Sequence, residues 1–112
     1  MFSVKLIENN SVVIDSVFDG VLDNNIIKYN DGVNNIFDLN KLVLERVGDG
    51  YRIVFDFLNF TCCSITDDLS VNMMLDVIDK KICSNSLIFK YKIIDTGNIY
   101  EYSIVWYLYK FI

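Results

Sequence analysis

At 112 residues and 53% apolar composition, the chain is one domain, large enough to bury a core and too apolar to stay disordered. Ten Lys and Arg stand against 15 Asp and Glu, a net charge of −5, which argues against nucleic acid or an anionic membrane as partner because both need clustered cations. The sequence contains no His, so the commonest general base and metal ligand is missing and any enzyme here must work with carboxylates, Cys, Lys or Tyr.

The N-terminal segment "MFSVKLIENN" has neither the basic stretch, the apolar stretch nor the cleavage site of a secretory signal. No apolar run reaches the roughly 20 residues of a membrane helix. A cytoplasmic protein without membrane contact is the expectation. In the same segment Phe2, Val4 and Leu6 alternate with Ser3, Lys5 and Ile7, the period of a strand. Residues 12–22 and 25–30 then flank Asp23-Asn24, a turn signal. In that hairpin Gly20 faces Ile27 or Tyr29, where glycine lets a strand bend or a ring cover it. "NIFDLN" reads as a short strand after the turn "NDG".

"KLVLERVGDGYRIVFDF", residues 41–57, is the strongest hairpin signal, with Asp49-Gly50 as its two-residue turn. Folding there sets Leu42, Leu44 and Arg46 against Phe57, Phe55 and Ile53 on one face. Val43, Glu45 and Val47 meet Asp56, Val54 and Arg52 on the other. One face is apolar except for Arg46 at its rim, as in a half-buried antiparallel pair.

"NFTCCSITDD" puts two adjacent cysteines before an acidic turn. Strand alternation points Phe60, Cys62 and Ser64 one way and Thr61, Cys63 and Ile65 the other, so one thiol is buried as a small hydrophobe. A redox or modification role is the alternative. Cys62 and Cys63 are too close to bridge each other. With Cys83 they give three thiols without C-x-x-C spacing and no His, so neither a metal site nor an activated thiol is expected. Asp67 and Asp68 read as turn residues. "VNMMLDVIDKKI" alternates as a strand, although its start is also the best place in the chain for a helix.

"SLIFKYKIIDTGNIYEYSIVWYL" turns at Thr96-Gly97. That turn sets Leu87, Phe89, Tyr91 and Ile93 against Trp106, Ile104, Tyr102 and Tyr100, with Lys92 opposite Glu101 as an oppositely charged pair. Together these segments predict an all-β domain over residues 1–112. Its form is a single antiparallel up-and-down barrel of about eight strands, or a closely related β-sandwich.

The order of these segments resembles the YwiB-like bacterial family of unknown function. The likeness is carried by the glycine-bearing long strand with Gly20, the "IKYNDG" strand with Tyr29, "LVLERVGD" with Arg46, and "SLIFKYKI" with Tyr91 before the final strand. Residues 57–71 depart from the family pattern, having "LNFTCCSITDDLS" where a glycine-rich, threonine-bearing turn is usual. The resemblance implies a calycin-like (lipocalin-like) small barrel and no established activity.

Three functional classes follow. An interaction or self-assembling module, including a homodimer, is suggested by the C-terminal segment, apolar on both faces from Ile104 onward, with Val105, Tyr107, Tyr109 and Phe111 as its outward interface. A barrel binding a small apolar or anionic ligand is the alternative, with Arg46 at the mouth and Tyr51, Tyr91, Tyr102 and Trp106 around the ligand. In the plainer reading Arg46 reaches solvent or pairs with a nearby Asp, and the large rings Phe55, Phe57 and Phe89 fill the interior. A carboxylate-based enzyme is the third class, but no nucleophile elbow, phosphate loop or metal motif supports it. The expectation is therefore a non-enzymatic protein without cofactor or metal.

Overall fold

The computed structural model describes residues 1–106, which contain eleven strands and no helix. β1 (Phe2–Glu8), β2 (Ser11–Phe18), β3 (Gly20–Asp23), β4 (Ile26–Asn30), β5 (Asn34–Asp38) and β6 (Val43–Gly48) form the first part. β7 (Tyr51–Asp56), β8 (Thr61–Thr66), β9 (Ser70–Ile82), β10 (Ser86–Ile93) and β11 (Ile99–Trp106) complete it. All pairings are antiparallel, in the order β2-β1-β11-β10-β9-β8-β7-β6-β5-β4-β3.

The two ends of that order, β2 and β3, are consecutive in the chain and separated only by Asp19. β2 bonds to β1 and β3 to β4, so one bent strand joins the ends and wraps the sheet into a nearly closed barrel. β9 makes a second corner: residues 70–74 pair with β8 and residues 75–82 with β10. The two corners bring the sheet round on itself, and the molecule measures 50 × 30 × 26 Å.

Eleven strands replace the expected eight. Part of the excess is the bend that divides residues 11–23 into β2 and β3. The rest is that every segment read as a strand forms one, the short β5 and β8 included, each with ladders on both sides. The bend needs Gly20. A Cβ there would lie 2.5 Å from the Lys28 carbonyl oxygen and 2.7 Å from two ring carbons of Phe2, whose ring covers the site. Gly20 stands opposite Tyr29, one of its two expected partners.

The β6–β7 hairpin has the expected register, from Val43 opposite Asp56 to Val47 opposite Arg52. The β3–β4 turn is centred one residue later than expected, on Asn24 and Asn25, both at positive φ. The β10–β11 register is shifted by two residues, so that Tyr91 faces Tyr100, Phe89 faces Tyr102 and Lys90 faces Glu101. A two-residue shift preserves which face each side chain takes. Its cause is a longer loop: Gly97 N–H and Thr96 N–H both donate to the Ile93 carbonyl, and the Asp95 carboxylate accepts from the Met74 N–H across the β9 corner. The segment offered as a possible helix lies wholly in β9.

The interior divides into a filled half and a hollow half. Phe37, Phe57, Phe89, Tyr102, Ile27, Leu87 and Ile104 fill the first. Phe57 and Phe89 stack from opposite walls at 4.3 Å between centroids, and Phe37 stacks on both of them and on Tyr102. Such pairs contribute about 0.5–1.5 kcal/mol each beyond area burial. Of the rings expected inside, Tyr51 alone is largely exposed, since its ring lies over Gly48 on the neighbouring strand. Phe60 is also outside, because at φ 60° it belongs to the turn before β8.

Candidate functional site

The hollow half encloses a cavity of about 330 Å³ between the two walls. Its floor is buried and mostly apolar: Leu44, Cys62, Tyr91, Ile93 and Tyr102. Its partly exposed rim includes Arg46, Tyr51, Ser64 and Tyr100. Each residue arrives by strand alternation. Leu44 and Arg46 are successive inward positions of β6, and Tyr100 and Tyr102 are successive inward positions of β11. The space is left unfilled, unlike that around Phe57, since Ser64, Cys62 and Ile53 face the rings with smaller side chains.

Four of the five residues expected around a ligand therefore meet at one cavity: Arg46, Tyr51, Tyr91 and Tyr102. Trp106 does not. It lies two inward positions beyond Tyr102 on β11, roughly 13 Å along the strand, in the filled half beside Phe2. Of the expected interface, Val105 is half-buried on the outer face between Ser3 and Ser86. Tyr107, Tyr109 and Phe111 lie outside the described residues.

Sequence reasoning did not find the polar network under the rim. Arg46 Nη2 contacts both oxygens of Asp31, at 3.4 Å (Oδ1) and 3.3 Å (Oδ2). The Asp31 side chain is only 1% exposed and that of Arg46 24%, so the plainer expectation of an Asp partner describes the resting pair. Asp31 sits in the β4–β5 turn and also accepts from Asn35 Nδ2 at 2.9 Å and from the Val33 N–H at 3.4 Å. Asn35 is buried, directly opposite Arg46 on the neighbouring strand, and its Oδ1 has no partner among the described residues. Deeper in, the hydroxyls of Tyr29 and Tyr102 share a hydrogen bond of 2.7 Å across the interior. The legible signal was "YNDG" beside the paired "NIFD" strand, which places Asp31 and Asn35 within reach of Arg46 once β5 pairs with β6.

Burial sets the titration of this region. It pushes Tyr29 up to about 12, against the lowering effect of its bond to Tyr102, and raises Tyr102 and Tyr91 as well. Tyr100 is raised by burial and then by Glu8. Burial, with Cys63 next to it, pushes the Cys62 thiol up to about 11, so it is protonated and poorly nucleophilic at neutral pH. No Asp or Glu lines the cavity. Among the described residues no group of three or more Cys, Asp or Glu is placed to hold a metal ion. The chemistry on offer is thus one guanidinium, several phenolic hydroxyls and an apolar floor.

No family model matches this chain, and comparison with curated proteins and with solved structures gives no match.

Proposed function

We propose that this protein is a non-enzymatic barrel that binds one small ligand in the cavity between its walls. The observation that carries this reading is the convergence of a partly exposed Arg46 with buried Tyr91 and Tyr102 over an apolar floor. Binding sites for small molecules combine that kind of floor with a few polar groups that fix orientation. The volume of about 330 Å³ equals roughly eleven water molecules' share of liquid, so the ligand has about ten non-hydrogen atoms. A calycin-like barrel, the shape implied by the YwiB-like resemblance, suits such a ligand because eight or more strands leave room for one small molecule.

The test is thermal denaturation with a panel of small amphiphiles of that size, such as octanol, octanoate and 2-naphthoate. A ligand at one hundred times its Kd stabilises by about 2.7 kcal/mol, which for a chain of this size raises Tm by roughly 10 °C. A flat response across the panel, with Leu44→Trp strongly destabilising because no space receives the larger ring, would remove the cavity reading.

A self-assembling module is the second reading, favoured by the edge of the barrel. Among the described residues β2 pairs only with β1, and Val12, Val13 and Val17 along it are all more than half exposed. An open strand edge carrying apolar side chains is a template for another strand. Sedimentation over a wide concentration range tests it: a constant monomer mass rejects assembly.

A further inference from the structure

Resting on the ligand-binding reading, we propose that the ligand is a monocarboxylate amphiphile, and that Asp31 is a resident counter-ion from which Arg46 turns to receive it. Three observations combine. First, the pair is loose: Arg46 reaches Asp31 through Nη2 alone, at 3.3 and 3.4 Å, while Nε and Nη1 make no hydrogen bond among the described residues. A guanidinium that is fully committed to a carboxylate usually engages it through two parallel N–H···O bonds. Second, Arg46 is not the only partner of Asp31, although it is the only one of Oδ2 among the described residues. Its Oδ1 keeps the Asn35 Nδ2 bond at 2.9 Å and the Val33 N–H when the guanidinium leaves.

Third, Asn35 offers a second resting place. Its Oδ1 is buried and unpartnered, and the residue stands opposite Arg46 on the adjacent strand, where Cβ atoms are about 5 Å apart. A guanidinium that leaves Asp31 has this acceptor opposite it on the strand pair for one N–H, with others left for a carboxylate at the cavity rim. Removing the orphan acceptor offsets the loss of the Asp31 contact, since an unpaired buried polar atom is costly. The ligand's apolar body then lies along Leu44, Phe55 and Tyr91. The uncharged hydroxyls nearby add no charge of their own. An anion therefore meets Arg46 with Asp31 beside it and Glu8 near Tyr100 at the rim, and Asp31, the carboxylate in contact with Arg46, weakens its binding.

The experiment compares octanoate with octanol, matched in chain length, by calorimetry on the wild-type protein, Arg46→Gln and Asp31→Asn. Octanoate is expected to bind the wild type roughly tenfold more tightly than octanol. Arg46→Gln is expected to erase that preference while leaving octanol binding in place. Asp31→Asn, which keeps an acceptor for Val33 and Asn35, is expected to strengthen octanoate roughly tenfold and octanol not at all. Equal binding of both probes to the wild type overturns the carboxylate assignment but leaves the cavity reading intact. Failure of both probes overturns the two together. Weaker octanoate binding in Asp31→Asn overturns the counter-ion role. Should that variant not fold, the wild-type octanoate complex decides: an Arg46–Asp31 contact still in place refutes the proposal, and a contact transferred to the ligand and Asn35 supports it.

Discussion

Adding one methyl group at Gly20 tests how the barrel closes. The new Cβ would fall 2.5 Å from the Lys28 carbonyl oxygen and 2.7 Å from two carbons of the Phe2 ring, about 0.7–0.9 Å inside ordinary van der Waals contact. Neither neighbour yields easily. The Lys28 oxygen is backbone in the middle of β4, and Phe2 is 3% exposed, with its ring stacked toward Tyr29. Overpacking of this kind costs about 1–3 kcal/mol, and replacing glycine returns about 0.4–1 kcal/mol by restricting the unfolded chain. The net expectation for Gly20→Ala is a loss of about 1–2 kcal/mol, or roughly 4–10 °C in Tm.

Gly48→Ala is the matched control. Its Cβ would come within 2.3–2.7 Å of the Tyr51 ring, closer still, but that ring is 39% exposed and can swing outward. Gly48→Ala should therefore be near neutral while shifting Tyr51 at the cavity rim. Urea denaturation of both variants, with Tyr51 followed by NMR, measures the difference. If Gly20→Ala proves as stable as the wild type, or Gly48→Ala proves the more damaging, the account of the bent strand is wrong.

Tyr102→Phe leaves the Tyr29 hydroxyl without its partner and should destabilise by about 1–3 kcal/mol, whereas adding Tyr29→Phe should cost less than the sum of the single changes; a double-mutant cycle reads this directly. Alkaline stability follows from the raised phenols. A tyrosine whose folded pKa lies above its unfolded value of 10.0 holds its proton longer in the native state, so its contribution is fully present below pH 10 and is lost as pH rises through about 12 for Tyr29. Stability measured from neutral pH to 12 should fall from pH 10 upward, with the Tyr29, Tyr91 and Tyr102 phenolates absent from the spectrum until the protein unfolds. Thiol labelling at neutral pH should modify the exposed Cys83 first and the buried Cys62 only on unfolding; early labelling of Cys62 would mean the cavity opens far more than its floor suggests.

The sequence by itself determined which segments are strands and, apart from Phe60 in the turn before β8, which residues of a strand share a face. Alternation in "VKLI", "LVLER" and "LIFKYKI" needs only the two-residue period of a strand, and the Asp49-Gly50 turn fixed one register because a two-residue loop permits just one. That one of the two adjacent thiols is buried was legible on the same ground; that it is Cys62 came from the structure. The β10–β11 register was not, because "IIDTGN" closes as a longer loop whose length depends on Asp95 capping the β9 corner, a contact far away in sequence. Tertiary structure alone decided that Tyr102 reaches the cavity and Trp106, inward on the same strand, does not, since that depends on which wall stands opposite. It alone also joined Asp31 and Asn35 to Arg46. Their meeting requires the pairing of β5 with β6, which no local pattern in the polar "NDGVNN" stretch specifies.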